Sequence, residues 1–349
     1  MYADMHAFAL FSMLLLGDDP VTAADAPAPW QLAWQDEFDG DAIDRTKWEL
    51  EENCWGGGNA EQQCYTRRRG KFANAFVADG LLYIVAKREA FTASNQPDGG
   101  GRLKATLPYT SARLRTKHRQ EWTFGRFEVR ARLPHGQGAW PAIWMLPTDS
   151  PYGTWAGSGE IDIMEAVNLG TPTDEPGAPP GTKETRVHGT LHYGRTPPGN
   201  VHTGTWHRLP NGASPSDGFH VYALEWEEGE IRWYVDGMHY ATQRADGWWS
   251  QLRKGGDWVD APAGAPFDRA SKYHLLLNLA VGGNWAGKVN ATGIDEAAFP
   301  QGMLVDYVRV YRCSAGQADG RGCATIGANA KLVQPEQTQR RPANEAPAR

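Results

Sequence analysis

This sequence is short of positive charge. Its 35 Lys and Arg are outnumbered by 41 Asp and Glu, for a net charge of −6. Nucleic acid and anionic lipid are held by a basic field, and neither is expected as a partner. Cysteine is scarce as well, with four in 349 residues. No two stand in Cys-x-x-Cys spacing, which argues against zinc or thioredoxin-like chemistry. No apolar run reaches the ~20 residues that span a bilayer. The longest, residues 7–17, has the length of a signal h-region and is followed by Ala23, Ala24 and Ala26. A leader over residues 1–26 is therefore expected, with a secreted or periplasmic product. Outside that run no long stretch repeats every 3.6 residues, and no internal repeat is visible.

Gly (40), Pro (23) and Trp (15) are abundant instead. Gly and Pro at this level mean many turns. The Trp content exceeds what one core requires, and flat indole faces are what sugar rings stack on. Phe127, Val129, Ala131 and Leu133 alternate with Glu128, Arg130 and Arg132, a period of two. Residues 219–240 predict a hairpin turning at Glu227-Glu228-Gly229-Glu230. Residues 81–86, 190–193, 274–281 and 304–312 also predict strands. The expectation is an all-β chain, a β-sandwich or jelly roll, with one domain over residues 27–313. The remainder, 314–349, predicts a Cys-containing loop and, from Ala324, a disordered tail. Three disulfide connectivities are possible. Local pairing of Cys54 with Cys64 and Cys313 with Cys323 closes two short loops; four reduced thiols are the alternative.

The chemistry concentrates in Gly159-Glu160-Ile161-Asp162-Ile163-Met164-Glu165. Three carboxylates fall within six residues, and no Lys or Arg occurs between Pro151 and Thr182. A solvated acidic strand face is the plain reading, but like charges on one face repel unless neutralised. In a regular strand Glu160 and Asp162 share a face while Glu165 points away. One extra residue in a β-bulge would bring Glu165 onto that face. The outer glutamates would stand roughly 13 Å apart along the strand at ~3.3 Å per residue. Side chains leaning together could approach the ~5–5.5 Å used by retaining glycosidases. Asp162 between them would raise a neighbour's proton affinity.

This segment resembles the Glu-x-Asp-x-x-Glu signature of glycoside hydrolase family 16, in the Met-containing form of bacterial laminarinases. The resemblance runs over roughly residues 30–312. It includes Trp34-Gln35-Asp36-Glu37-Phe38, Tyr109-Thr110-Ser111-Ala112-Arg113, Gly138 to Pro147, Gly189 to Tyr193, Asn278 to Trp285 and Val305 to Tyr311. It implies a β-jelly-roll sandwich of two antiparallel sheets with a concave substrate cleft, acting as a monomer on a polysaccharide. It also implies Glu160 as nucleophile, Glu165 as general acid/base and Asp162 as their partner in a retaining endo-β-1,3-glucanase. Mixed-linkage glucan, agar and carrageenan are alternative substrates. A non-catalytic glucan-binding module is the rival from another class. Trp140, Trp144, Trp155, His192, Arg113, Asn278 and Trp285 are candidate substrate binders, with core packing or an ion pair as the alternative for each. The loop Trp55 to Gln62 departs from the usual Trp-Gly-Asn-Asn-Glu run, and Asn59 and Glu61 are expected to take its binding roles. Trp248, Trp249 and Trp258 lie in a Gly-rich loop that either binds sugar or folds over a sheet edge. Catalysis needs no cofactor. A structural Ca²⁺ is implied away from the cleft, held by Glu37, Asp306 and a carbonyl near Gly80. Asn290-Ala291-Thr292 matches a glycosylation sequon.

Overall fold

A computed structural model of the chain describes residues 29–342. The expected leader lies outside them. The first ten strands are β1 (Trp30–Asp36), β2 (Glu49–Leu50), β3 (Gln63–Tyr65), β4 (Ala75–Ala78), β5 (Leu81–Ser94), β6 (Lys104–Ser111), β7 (Arg113–Arg115), β8 (Gly125–Arg132), β9 (Ala139–Pro147) and β10 (Glu160–Glu165). Then follow β11 (Val187–Gly194), β12 (Asn200–His207), β13 (His220–Glu227), β14 (Glu230–Val235), β15 (Met238–Arg244), β16 (Gln251–Lys254), β17 (Asp257–Asp260), β18 (Tyr273–Val281), β19 (Gln301–Cys313) and β20 (Lys331–Leu332).

They form a two-layer sandwich. A seven-stranded sheet has the order β12-β11-β10-β9-β18-β7-β2. An eleven-stranded sheet has the central order β20-β15-β14-β13-β8-β19-β5-β6-β3, with β1 paired to β19 and β4 to β5. The alternation read in the sequence decides what lies between them. Phe127, Val129 and Leu224 of the larger sheet meet Ile143, Ile161, Leu191 and Leu277 of the smaller one, all fully buried. Burying each such side chain is worth about 1.5–3 kcal/mol. The jelly-roll architecture is as expected, and so are both local disulfides, Cys54–Cys64 and Cys313–Cys323.

The structure refines two expectations. The hairpin turns where predicted, with Glu227 opposite Glu230, but a second turn at Asp236-Gly237 starts β15, so residues 219–240 hold parts of three strands. The outer face of β8 is not simply solvated: Arg126 is buried and pairs with Glu128 and Glu225. That face is covered by the tail expected to be disordered, which is a correction. Thr325 N donates to Glu225, Gly327 N to His239 Nδ1, and buried Val333 N to Thr242 O. The tail lacks aromatic residues and is rich in Gln, Pro, Ala and Arg, so composition suggested disorder; its backbone donors instead satisfy acceptors on the larger sheet.

The expected calcium ligands each stand beside an arginine. Glu37 makes a two-pronged pair with Arg309, at 2.8 Å to each nitrogen. Asp306 pairs with Arg130 at 2.5 Å. A guanidinium engages both oxygens of Glu37 and one of Asp306, in competition with a cation. Chelation with EDTA is therefore expected to leave the calorimetric Tm unshifted; a drop that added Ca²⁺ restores would overturn this.

Candidate active site

β10 lies between β9 and β11, and its register slips on both flanks. Against β11, Asp162 faces Thr190 and Glu165 faces His188, three chain steps against two. Against β9, Asp162 faces Trp144 and Met164 faces Ile143, two steps against one. The extra residue is the bulge inferred from the sequence, and it puts Glu165 on the face of Glu160 and Asp162. Ile161, Ile163 and Met164 are buried. The bulge is anchored from the opposite sheet: the fully buried Trp233 donates its indole N–H to the Asp162 carbonyl at 2.8 Å. This approach requires glycine on the neighbouring strand. A Cβ at Gly189 would stand 2.4 Å from Trp233 Cδ1. Gly159, at φ +84°, opens β10 where a Cβ would meet the Tyr273 hydroxyl at 2.3 Å.

The three acids lie in a cleft of about 1260 Å³ across the outer face of the seven-stranded sheet. Alternation sets its floor: Trp140, Ala142 and Trp144 from β9; Leu276, Asn278 and Ala280 from β18; His188, Thr190 and His192 from β11. Indole N–H groups serve the two glutamates. Trp155 Nε1 donates to Glu160 Oε2 at 2.8 Å, and Trp140 Nε1 to Glu165 Oε1 at 2.9 Å. His192 Nε2 lies 3.2 Å from Asp162 Oδ2 and 3.6 Å from Glu160 Oε1. Burial, and then the charge of Asp162, push Glu160 and Glu165 up to about 8. Burial alone pushes Asp162 up to about 8. Raised proton affinity in a coupled set lets one glutamate stay protonated as the acid while its partner is ionised as the nucleophile.

The expected binders divide into three kinds. Trp155 is 39% exposed and presents a face to the cleft. Trp140 and Trp285 meet edge to face at 5.3 Å, and Trp144 is fixed by a 2.7 Å hydrogen bond to Asn278. These four line the cleft. Arg113 lines it too, but is buried under the Trp144 and Tyr65 rings with its charge near Glu51, at 3.6 Å. It is a floor residue rather than a surface ion pair. Asn59 and Glu61 also reach the cleft. Glu61 is buried, accepts from Gln63 Nε2 at 2.6 Å, and lies so close to the 56–58 turn that a Cβ on Gly57 would meet its carboxylate. The loop tryptophans took the other course. Trp248 and Trp249 are buried and donate to the carbonyls of Gly264 and Gln339, while Trp258 is sandwiched between Arg195 and Arg253. Asn290 is half-buried: its amide nitrogen donates to Pro172 O and Glu184, so the sequon nitrogen is engaged.

Sequence reasoning missed several cleft residues. Trp55 and Trp206 are 42% and 43% exposed at opposite flanks of the cleft. His188, held well below the usual histidine range at about 4 by burial, packs on Trp285. His202 lies beside His192, ring to ring at 5.4 Å. Counting by twos from His192 would have found His188. Nothing local marked β12, which carries His202 and Trp206.

Trp233→Phe keeps the ring and removes the N–H. Leaving the Asp162 carbonyl unpaired is expected to cost about 1–3 kcal/mol of stability, read as a lowered Tm. It should also reduce kcat with KM nearly unchanged, because it disturbs the acid strand and not the cleft walls. An unaltered kcat would show that the bulge holds without this bond.

A family model described as "Glycosyl hydrolases family 16" matches residues 82–252. A "Beta-glucanase" of Rhodothermus marinus is 40% identical over 306 residues, covering 87% of this chain and 91% of that protein. A "Glucan endo-1,3-beta-glucosidase A1" of Niallia circulans is 39% identical over 295 residues, 82% of this chain, which spans only 38% of that relative's length. The solved structure of the laminarinase from Rhodothermus marinus superposes with a TM-score of 0.61 at 40% identity, covering 81% of this chain and 97% of that one. With the sandwich, the bulged acid strand and these relatives agreeing, the chain belongs to glycosyl hydrolase family 16.

Proposed function

We propose that the chain is a retaining endo-glycosidase that cleaves β-1,3 bonds within a laminarin-type glucan. The register slip in β10 carries this reading, because it gives one cleft face a pair of glutamates with an aspartate between them. Glu160 attacks the anomeric carbon from one side. The glycosidic C–O bond breaks as Glu165 passes its proton to the leaving oxygen, leaving a glycosyl ester on Glu160. Glu165, now a carboxylate, takes a proton from water, and the resulting hydroxide displaces Glu160 with net retention. The order of roles follows the family motif. Asp162 and His192 tune the pair by charge.

The relatives named for laminarin or β-1,3-glucan support the substrate class. The exposed faces of Trp55, Trp155 and Trp206 support an extended chain lying along the cleft. The two disulfides support a location outside the reducing cytosol, secreted or periplasmic.

Reducing ends released from laminarin should fall by roughly 10²–10⁴-fold or more in Glu160→Gln and in Glu165→Gln, the range general acid–base groups contribute. Laminarin should be cut faster than lichenan, agarose or carrageenan. Equal, negligible release by wild type and variants, with retained pull-down on insoluble glucan, would mean a binding module instead.

A further inference from the structure

We propose that Glu160, Asp162 and His192 form a binding site for a zinc-type divalent cation, and that its occupancy blocks the cleft. Zinc takes imidazole nitrogen and carboxylate oxygen at ~2.0–2.2 Å, so two ligands of a tetrahedral ion stand ~3.4 Å apart. His192 Nε2 lies 3.2 Å from Asp162 Oδ2 and 3.6 Å from Glu160 Oε1, and the three ligand atoms all fall within 4.8 Å of one another. The two edges that meet at His192 already have the length of such a tetrahedron, and the third pair lies within 4.8 Å.

The hydrogen bonding leaves these atoms available. Asp162 is 2% exposed, yet its Oδ2 has no hydrogen-bond partner, because the close His192 ring is not aligned to donate to it. His192 Nδ1 is likewise buried and unpartnered. Trp155 holds Glu160 through Oε2, which leaves Oε1 facing the histidine. A buried acceptor without a donor costs about 1–3 kcal/mol, and a cation would relieve it. Three protein ligands leave a fourth position toward the cleft, the open pattern that binds water or an inhibitor atom. One imidazole and a tight triangle disfavour calcium and magnesium, which want six or more oxygens or a near-ideal octahedron. Glu165, beyond the bulge, is not part of the triangle.

Titration calorimetry of the full chain with zinc chloride tests this. One site is expected in wild type and in Glu165→Gln. Affinity should fall at least roughly tenfold in His192→Ala and Asp162→Asn, the size that even outer-shell changes produce. Equal affinity in all four proteins would overturn the proposal by placing zinc on other histidines. Co²⁺ provides a readout on unmutated protein: an intense visible band of four-coordinate cobalt supports the site, and the pale spectrum of six-coordinate cobalt overturns it. Blockage of the cleft rests on the glucanase reading, whereas binding does not. Zinc that binds as expected to a protein without action on laminarin would sink the glucanase reading alone. Zinc that binds the triangle but leaves laminarin hydrolysis unchanged would overturn the blockage.

Discussion

One hydrogen bond across the sandwich sets the site. The indole of Trp233, on the larger sheet, reaches the carbonyl of Asp162 in the middle of the acid strand. A regular ladder would send Glu165 into the core among Ile161 and Ile163, an unpaired buried acid of the costliest kind. The bulge turns it outward, and the slipped register on both flanks shows that neighbouring strands accept the extra residue. Gly189 makes room for the indole. A tryptophan, a glycine and a carbonyl, none of which touches the cleft acids' oxygens, thus decide which face those acids occupy.

The protein treats its acids in two contrasting ways. On the larger sheet they meet arginine: Glu37 with Arg309, Asp306 with Arg130, Glu128 and Glu225 with Arg126. In the cleft the nearest donors to Glu160 and Glu165 are tryptophan N–H groups, which fix orientation without cancelling charge. Burial therefore acts unopposed by a nearby guanidinium, and proton affinity rises. Arg113 is the exception that sharpens the rule. It sits in the cleft floor, but its charge faces Glu51 and its planar surfaces lie against Tyr65 and Trp144. Among the described residues no lysine or arginine pairs with the acid trio, which suits groups that must exchange protons.

How far the sequence carried the reading follows from which interactions are local. The acid strand was readable because a fault of phase within six residues has only one cheap repair, and the structure contains it. The inward set of β8 was readable for the same reason. Glu128 was not: its burial depends on Arg126 and on Glu225, nearly a hundred residues away. The tail was misread because its composition is that of a disordered segment, and its order comes from hydrogen bonds to Glu225, His239 and Thr242 that no local pattern announces. Trp248 and Trp249 were ambiguous because an indole in a glycine-rich loop serves sugar or a carbonyl equally well; here Gly264 and Gln339 supply the carbonyls.

That last contact ties the tail to the site. Trp249 holds the Gln339 carbonyl, and Gln339 itself lines the cleft beside β12. At the other flank the Cys54–Cys64 loop brings up Trp55, Asn59 and Glu61, where the Asn59 carbonyl accepts from Asn284 N. Between these flanks the sheet has seven strands, so at ~4.8 Å per gap the floor is roughly 29 Å wide. The acids stand on β10, the third strand from one edge, with Trp206 two strands away on one side and Trp144, Asn278 and Arg113 successively farther on the other. A floor continuing on both sides of the cutting point must hold chain on both sides of the broken bond. The position of β10 within its sheet therefore makes an enzyme of internal bonds out of a strand whose own residues specify only how a bond is cut.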